Sequence, residues 1–188
     1  TKESLLDSIR DVIDQGVFTM GRQREMLGLG HAVLTGEPLI GPEPFGMVLS
    51  DDLCLNSGGL GVLASMARLF EEFGCSIGAV QEVPDEEIHK YGVIAGEELA
   101  EGLYRVNHMV EKPSAAEAPS NLAIIGRYIL TPDIFDIIRS TPPGKNGEVQ
   151  LTDALQVQAR EGRVLAYQFE GLRFDCGSVP GFVEATQH

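Results

Sequence analysis

Aspartates at two positions in the sequence have the residue type that binds a divalent metal ion. Asp51 and Asp52 follow the apolar run Phe45–Leu49 after Ser50, and Asp175 follows the strand-like segment made of Val164–Phe169 with Leu172–Phe174. In open α/β sheets, ligands bind beyond the carboxyl ends of the strands, and carboxylates placed there can hold Mg²⁺ together with substrate phosphates. The alternative for Asp51 and Asp52 is a turn or helix-capping role, and Asp175 alone indicates little.

An acid and a base stand together at the end of another apolar run. Glu111 and Lys112 precede Pro113, which ends the strand. Lysine suits a phosphate as a compact point charge, and glutamate accepts hydrogen bonds from sugar hydroxyls. The alternative is a surface ion pair. Since neighbouring side chains on a strand point to opposite faces, both can serve one site only if the chain twists at Pro113.

A glycine-containing stretch, GLGHA, precedes a helix-like run. Gly28 and Gly30 would let backbone N–H groups and a helix N-terminus come close to a ligand. The stretch lacks the third glycine of a dinucleotide fingerprint and the lysine of a P-loop, so a tight turn is the alternative. Gln23, just upstream, could contact a base edge or be a solvated loop residue.

Alternating strand and helix patterns are expected to position these residues. Helices are predicted at Lys2–Asp14, at Leu60–Phe70 with Gly74 as C-cap, and at Thr131–Arg139 with Thr131 as N-cap. Strands are predicted at Val17–Met20, Phe45–Leu49 (buried on both faces), Ser76–Val83 and Asn121–Leu130, with a hairpin from Tyr91–Ala95 and Leu103–Val110. We therefore expect an α/β fold, three layers α/β/α, around a mixed, mainly parallel sheet.

Composition excludes several classes of function. The 188 residues carry 14 Lys and Arg against 28 Asp and Glu, a formal charge of −14, which opposes binding to nucleic acid or to an anionic membrane. No apolar run approaches the ~20 residues of a membrane span, and the N-terminal segment is not a signal peptide, so we expect a cytoplasmic protein. The three cysteines are widely spaced and are expected to be reduced thiols.

Several blocks of the chain, taken in order, closely resemble the family of bacterial UTP:glucose-1-phosphate uridylyltransferases, also called UDP-glucose pyrophosphorylases. The blocks are GLGHAV, VLSDD, HKYGVIAG, MVEKP, EAPSNLAIIGRYILTPDIF, PPGKNGEVQLTDAL and FDCGSVPGFVEAT. The resemblance implies an enzyme with a Rossmann-like nucleotidyltransferase fold. It also implies Mg²⁺-dependent attack of a glucose 1-phosphate oxygen on the α-phosphorus of UTP, which forms UDP-glucose and releases pyrophosphate.

The resemblance also implies roles for individual residues. Gln23 and Gly28 match positions that contact uracil in the family. Asp51 and Asp175 match the two metal-binding aspartates, and Asp52 is a substrate-side neighbour of Asp51. The sugar side is matched by the glucose-binding positions Gly92, Glu111, Asn121 and Gly126, and by Lys112, which matches the lysine that holds the sugar phosphate. Lys112 and Asp51 are the expected catalytic residues. Such catalysis depends chiefly on positioning and charge neutralisation.

The same family comparison suggests an incomplete domain. We expect residues 1–188 to form a single nucleotidyltransferase domain truncated at both ends, because the family's amino-terminal strand, Gly-x-Gly-Thr-Arg loop and following lysine have no counterpart here. The isolated chain is therefore expected to be inactive and the full-length protein to be a homo-oligomer. The alternatives are a sugar-nucleotide-binding module without turnover, and a related nucleotidyltransferase for a different nucleotide or sugar phosphate.

Overall fold

The computed structural model describes residues 6–7, 10, 13–56, 59–144 and 147–188. The helices are α1 (Leu29–Ile40), α2 (Val62–Phe73), α3 (Ile134–Ser140), α4 (Leu151–Arg160) and α5 (Val179–Gln187). The strands are β1 (Phe45–Val48), β2 (Asp52–Asn56), β3 (Ser76–Glu82), β4 (Gly92–Ala100), β5 (Leu103–Glu111), β6 (Leu122–Leu130), β7 (Val164–Gln168) and β8 (Gly171–Asp175). A short 3₁₀ turn covers Ile88–Lys90. In the described part of the chain, none of the helices combines the length and apolar character of a membrane span.

The main sheet has the strand order β1-β6-β3-β7-β5-β4, and β6 also pairs with β4. Its mixed character is confirmed, but the prediction of a mainly parallel sheet is wrong. Among the strands that the structure describes, β3 and β7 form a parallel pair, whereas the other pairs are antiparallel. Apolar runs indicate that a strand is buried, but they carry no information on its direction.

Helices cover both faces of this sheet, which confirms the three layers. α2 packs on one face through Val62 and Met66, and α1, α3 and α4 pack on the other. The strands serve both cores by alternation: in β6, Ile124 faces the three-helix side and Ile125 faces α2. This period of two explains why β6 reads as a continuous apolar run.

A separate two-stranded ribbon is formed by β2 and β8, which pair antiparallel. Its register places Asp52 opposite Asp175, residues that are far apart in the sequence. The ribbon therefore brings the two predicted acidic positions together at one end.

Some predicted elements differ in the structure. β1 is not buried on both faces: in the described sheet it is the edge strand, paired with β6, and its residues alternate between half-buried and exposed. The predicted strand Val17–Met20 is irregular, with Val17 and Met20 each 97% exposed, because it has no strand partner among the described residues. The predicted helix Lys2–Asp14 falls largely outside the described residues.

The helix after β6 also begins later than predicted. α3 starts at Ile134 with Asp133 as the N-cap residue, not at Thr131. The Thr131 hydroxyl instead bonds to Ser76 and accepts from the Gln158 amide, so tertiary contacts take the group that a local cap would use. The predicted C-cap is confirmed: Gly74 ends α2 in the left-handed conformation.

Candidate functional site

One pocket of about 360 Å³ lies where the ribbon meets the main sheet and the start of α4. Most of the residues singled out from the sequence line it: Asp51, Asp52, Gly92, Glu111, Lys112, Gly126 and Asp175. They come from the ribbon, the start of β4, the end of β5 and the middle of β6. The fold thus converges distant parts of the chain on a single concave surface.

Asp51 and Asp175 face the same small volume at one end of the ribbon. Asp51 lies in the tight turn between β1 and β2, and its carbonyl accepts the N–H of Cys176 at 2.7 Å. A Cβ atom added at Gly177 would stand 3.1 Å from Asp51 Oδ2 and 3.1 Å from Asp175 Oδ1. The space beside both carboxylates is open because residue 177 has no side chain.

The chemistry of this carboxylate pair suits a divalent metal ion that keeps several of its ligands from water or substrate. Mg²⁺ in proteins is commonly held by one or two carboxylates plus substrate phosphates, and it needs no complete cage of side chains. Accordingly, no group of three or more His, Cys, Asp or Glu side chains is arranged for metal binding in the described residues.

Asp52 has a different role from its neighbour. Its side chain is buried, Oδ2 accepts the N–H of Gly126 at 2.9 Å, and Oδ1 accepts from Arg173 Nε at 2.5 Å. Both oxygens are therefore bonded within the protein. Asp52 lines the pocket, but its carboxylate joins the ribbon to the main sheet.

Arg173 is a largely buried cation in the pocket wall, with its side chain 11% exposed. Its guanidinium donates to Asp52 and to the hydroxyl of Tyr91, at 3.1 Å, and lies 4.8 Å from the centre of the Tyr91 ring. Burial opposes the charge and would lower the pKa of Arg173, but the bonds to Tyr91 and Asp52 outweigh it and raise that pKa. Arg173 therefore keeps its charge.

Glu111 and Lys112 both reach the pocket because the backbone turns at Lys112. Lys112 has a φ of 46°, the left-handed region that residues with a side chain rarely adopt. Its N–H donates to the carbonyl of Tyr91 at 3.0 Å, and its Nζ lies 3.8 Å from Glu111 Oε1. Both side chains could serve one site only if the chain twisted at Pro113, and the backbone does turn at the residue before it. An acid and a base therefore share one site.

The wall of the pocket beyond Glu111 is polar. Thr152, in the first turn of α4, donates its hydroxyl to Glu111 Oε2 at 2.7 Å, and Gly92 lies directly beside this pair. Tyr128 lies at the back of the pocket, where burial raises the pKa of its phenol well above the ordinary value. Tyr128 is therefore neutral and can serve as a hydrogen-bond donor.

The structure does not place Gln23, Gly28 or Asn121 in the pocket lining. Gln23 donates to the Gly28 carbonyl at 3.2 Å and lies 2.8 Å from His31 Nδ1, so it lies at the rim, where the neighbouring Leu29 lines the pocket. Asn121 is exposed just before β6, and its carbonyl accepts the N–H of Val83.

The glycines of the GLG stretch have a packing reason. Gly28 has a φ of 95°, and a Cβ there would lie 2.8 Å from the carbonyl oxygen of Val149. Gly30 donates its N–H to that same oxygen at 2.9 Å. The stretch therefore pairs closely with the segment before α4, which lines the pocket.

Some residues of the site had no clear signal in the sequence. Arg127 donates to the carbonyls of Leu49 at 3.1 Å, Gly126 at 2.8 Å and Asp52 at 2.5 Å, and so fixes the turn that carries Asp51. In the sequence, this role is indicated only by the position of a single arginine inside the apolar run of β6. Thr152 and Tyr91 lie inside two of the blocks that resemble the family, and Arg173 directly precedes a third, but residue type alone does not single them out.

Comparison with known proteins identifies the family. The sequence pattern of the family described as "Nucleotidyl transferase" matches residues 1–188. The chain belongs to this family. Nucleotidyltransferases of this kind generally use a divalent metal ion.

Curated relatives of this nucleotidyl transferase include a UTP–glucose-1-phosphate uridylyltransferase of Pseudomonas aeruginosa, 64% identical over 185 residues. A relative from Methanocaldococcus jannaschii, named a putative UTP–glucose-1-phosphate uridylyltransferase, is 40% identical. Both alignments cover 98% of this chain; it spans 66% of the first relative's length and 64% of the second's. The resemblance drawn from the sequence blocks is thereby confirmed.

Solved structures agree with this family assignment. A UDP-glucose pyrophosphorylase complexed with UDP-glucose superposes with a TM-score of 0.96 at 56% identity, covering 99% of this chain and 71% of that one. A UTP-bound enzyme of the same kind from Acinetobacter baumannii gives a TM-score of 0.83 at 33% identity, covering 100% and 65%. The Rossmann-like nucleotidyltransferase architecture is thus confirmed.

Proposed function

We propose that this nucleotidyltransferase forms UDP-glucose and pyrophosphate from UTP and glucose 1-phosphate, with Mg²⁺ as the metal ion. The observation that carries the proposal is the convergence of Asp51, Asp175, Glu111 and Lys112 on one pocket. An aspartate pair suited to a metal-bound triphosphate and a Glu–Lys pair suited to a sugar phosphate face each other there. The names of the relatives supply the substrates.

The reaction requires two polyanions to meet in a pocket that already contains carboxylates. An oxygen of glucose 1-phosphate attacks the α-phosphorus of UTP, a new P–O bond forms, and the bond from that phosphorus to the leaving pyrophosphate breaks. Lys112 holds the sugar phosphate and offsets its charge as it approaches. Bound Mg²⁺ would neutralise charge on the nucleotide phosphates.

Asp51 and Asp175 would hold that ion, because their oxygens flank the open space beside Gly177. Glu111 accepts hydrogen bonds from the sugar hydroxyls, and Gly92 and Gly126, which line the same pocket, would contact the ring. No activated side-chain nucleophile is needed, since positioning and charge stabilisation account for such transfers.

The proposed contacts to the uracil base rest on the resemblance of the sequence blocks to the uridylyltransferase family. Gln23 and Gly28 would contact uracil from the rim next to Leu29, and Asn121 would reach the sugar. In this structure the Gln23 amide is bonded to Gly28 and His31, so base binding would require it to exchange those partners.

We further propose that residues 1–188 form one domain and that the protein is a homo-oligomer. The two apolar cores lie on opposite faces of the same sheet, which supports a single domain. The exposed edge of β1 offers backbone groups for pairing with a second copy. Light scattering coupled to size-exclusion chromatography tests the oligomeric state.

The direct test measures pyrophosphate release from UTP and glucose 1-phosphate with Mg²⁺ by the full-length protein. We expect UDP-glucose as the product, with lower rates when dTTP replaces UTP or when another sugar 1-phosphate replaces glucose 1-phosphate. Calorimetric titration with UDP-glucose accompanies the assay. Binding without pyrophosphate release would support the binding-module alternative, and preferred use of dTTP would support a different nucleotide specificity.

A further inference from the structure

Thr152 makes a hydrogen bond whose position in the pocket has a functional consequence. Its hydroxyl donates to Glu111 Oε2 at 2.7 Å, which joins the first turn of α4 to the last residue of β5. Thr152 is 7% exposed and the Glu111 side chain 18% exposed, so little solvent competes for this bond. Both residues line the pocket.

A glutamate carboxylate does not fix its own orientation. The terminal torsion of the side chain joins an sp³ carbon to an sp² carbon, and its energy profile is broad. A donor bonded to one oxygen removes that freedom. With Oε2 held by Thr152, Oε1 is the oxygen that lies 3.8 Å from Lys112 Nζ, so the position of the acid relative to the base is set by α4.

The Thr152–Glu111 pair packs closely against the backbone of Gly92. A Cβ atom at Gly92 would lie 3.0 Å from Thr152 Oγ1 and 3.1 Å from Glu111 Oε2. A side chain at residue 92 would crowd the pair, and Gly92 lines the same pocket as Thr152 and Glu111. The bond therefore occurs at the surface that a ligand would contact.

We propose that Thr152 is a positioning residue that orients the Glu111 carboxylate toward the sugar hydroxyls. The proposal rests on the proposed function, since it concerns the sugar side of that reaction. An acceptor held in one place accepts only from a hydroxyl of matching direction. Loss of the Thr152 hydroxyl therefore weakens binding of glucose 1-phosphate and relaxes discrimination against galactose 1-phosphate, which differs in one hydroxyl configuration.

The test compares Thr152→Val, which keeps the shape but removes the donor, with Thr152→Ser, which keeps the donor. We expect Thr152→Val to raise the KM for glucose 1-phosphate by about tenfold, the effect typical of losing a hydrogen bond to a charged group. The KM for UTP should change less than twofold, and Thr152→Ser should stay within threefold of the wild type. If Thr152→Val is insoluble, Thr152→Ala carries the same expectations.

A double-mutant cycle asks whether Thr152 acts through Glu111. In a Glu111→Ala background, Thr152→Val should change the KM for glucose 1-phosphate less than twofold further, because the acceptor that it orients is absent. Independent, multiplicative effects would overturn the proposal. Thr35→Val is the matched control: the Thr35 hydroxyl bonds to the His31 carbonyl in α1, away from the pocket, and both KM values should stay unchanged.

The remaining outcomes separate the two proposals. A wild-type protein that neither binds UDP-glucose nor forms it would overturn the proposed function and, with it, the role of Thr152. An active wild type with equal KM increases for both substrates in Thr152→Val, or with a lower unfolding midpoint and unchanged KM values, would leave the function standing and overturn the positioning role.

Discussion

The buried ion pair between Asp52 and Arg173 should make Asp52→Asn strongly destabilising. The two side chains are only 9% and 11% exposed, and their charged atoms lie 2.5 Å apart. Asp52→Asn removes the negative charge and leaves one acceptor oxygen for the two donors that the carboxylate serves, Arg173 Nε and the Gly126 N–H, while the guanidinium stays charged. Breaking a buried pair in this way costs about 3–5 kcal/mol of unfolding free energy.

Urea unfolding at neutral pH, followed by circular dichroism, measures this cost. With a denaturant dependence of about 2 kcal/mol per molar urea, the midpoint of Asp52→Asn should fall by about 1.5–2.5 M. The matched control is Glu87→Gln, which breaks the exposed Lys90–Glu87 pair, with side chains 47% and 43% exposed. Its midpoint should not move measurably, because solvent screens that pair.

A second variant separates the lost charge pairing from lost packing. Asp52→Asn combined with Arg173→Met removes both charges, so the double variant should recover much of the stability that Asp52→Asn loses. A fall of less than about 0.5 M for Asp52→Asn, or no recovery in the double variant, would refute the reasoning. The small fall would mean that water reaches the pair in solution, and the absence of recovery would mean that Asp52→Asn loses packing or hydrogen bonds and not charge pairing.

Further predictions concern the site and the cysteines. Lys112→Ala should lower turnover at saturating substrates by a factor on the order of 10²–10³, while the urea midpoint stays within error. Turnover comparable to that of the wild type would mean that Lys112 forms only a surface ion pair. Gly177→Ala should weaken Mn²⁺ binding measured by calorimetry, because its Cβ would enter the space between Asp51 and Asp175; unchanged affinity would contradict the shared site. Burial raises the pKa of Cys54, so its alkylation should be slower than that of free cysteine at pH 8 and should accelerate at higher pH.

The sequence was sufficient to locate the ends of strands but not the direction of strands or side chains. Glu111 and Lys112 could be placed at a strand end because Pro113 follows them. Their joint access to one pocket depends on the left-handed backbone at Lys112, and residue types alone do not encode that conformation. The same limit explains the wrong prediction of a mainly parallel sheet.

Adjacent aspartates show most clearly what a motif leaves open. Asp51 and Asp52 are chemically identical, yet Asp51 faces the open space beside Gly177, whereas the Asp52 carboxylate is taken by Arg173 and Gly126. The difference arises from a pairing between β2 and β8 that spans more than a hundred residues of sequence. Local patterns cannot contain it.

The two-stranded ribbon allows catalytic competence to be lost while global stability is kept, although the two are often measured as one. Asp51 and Asp175 lie at the ribbon, while Glu111 and Lys112 belong to the main sheet. The hydrogen bonds that join the ribbon to the main sheet include those of Asp52, Arg127 and Arg173. Local opening of those bonds would move the two halves of the pocket apart without unfolding either apolar core. Amide hydrogen exchange in β2 and β8 would then report on catalytic competence, whereas exchange in β3 and β6 would report on global stability. A variant could thus keep a native spectrum and melting temperature and still fail to bring its two substrates together.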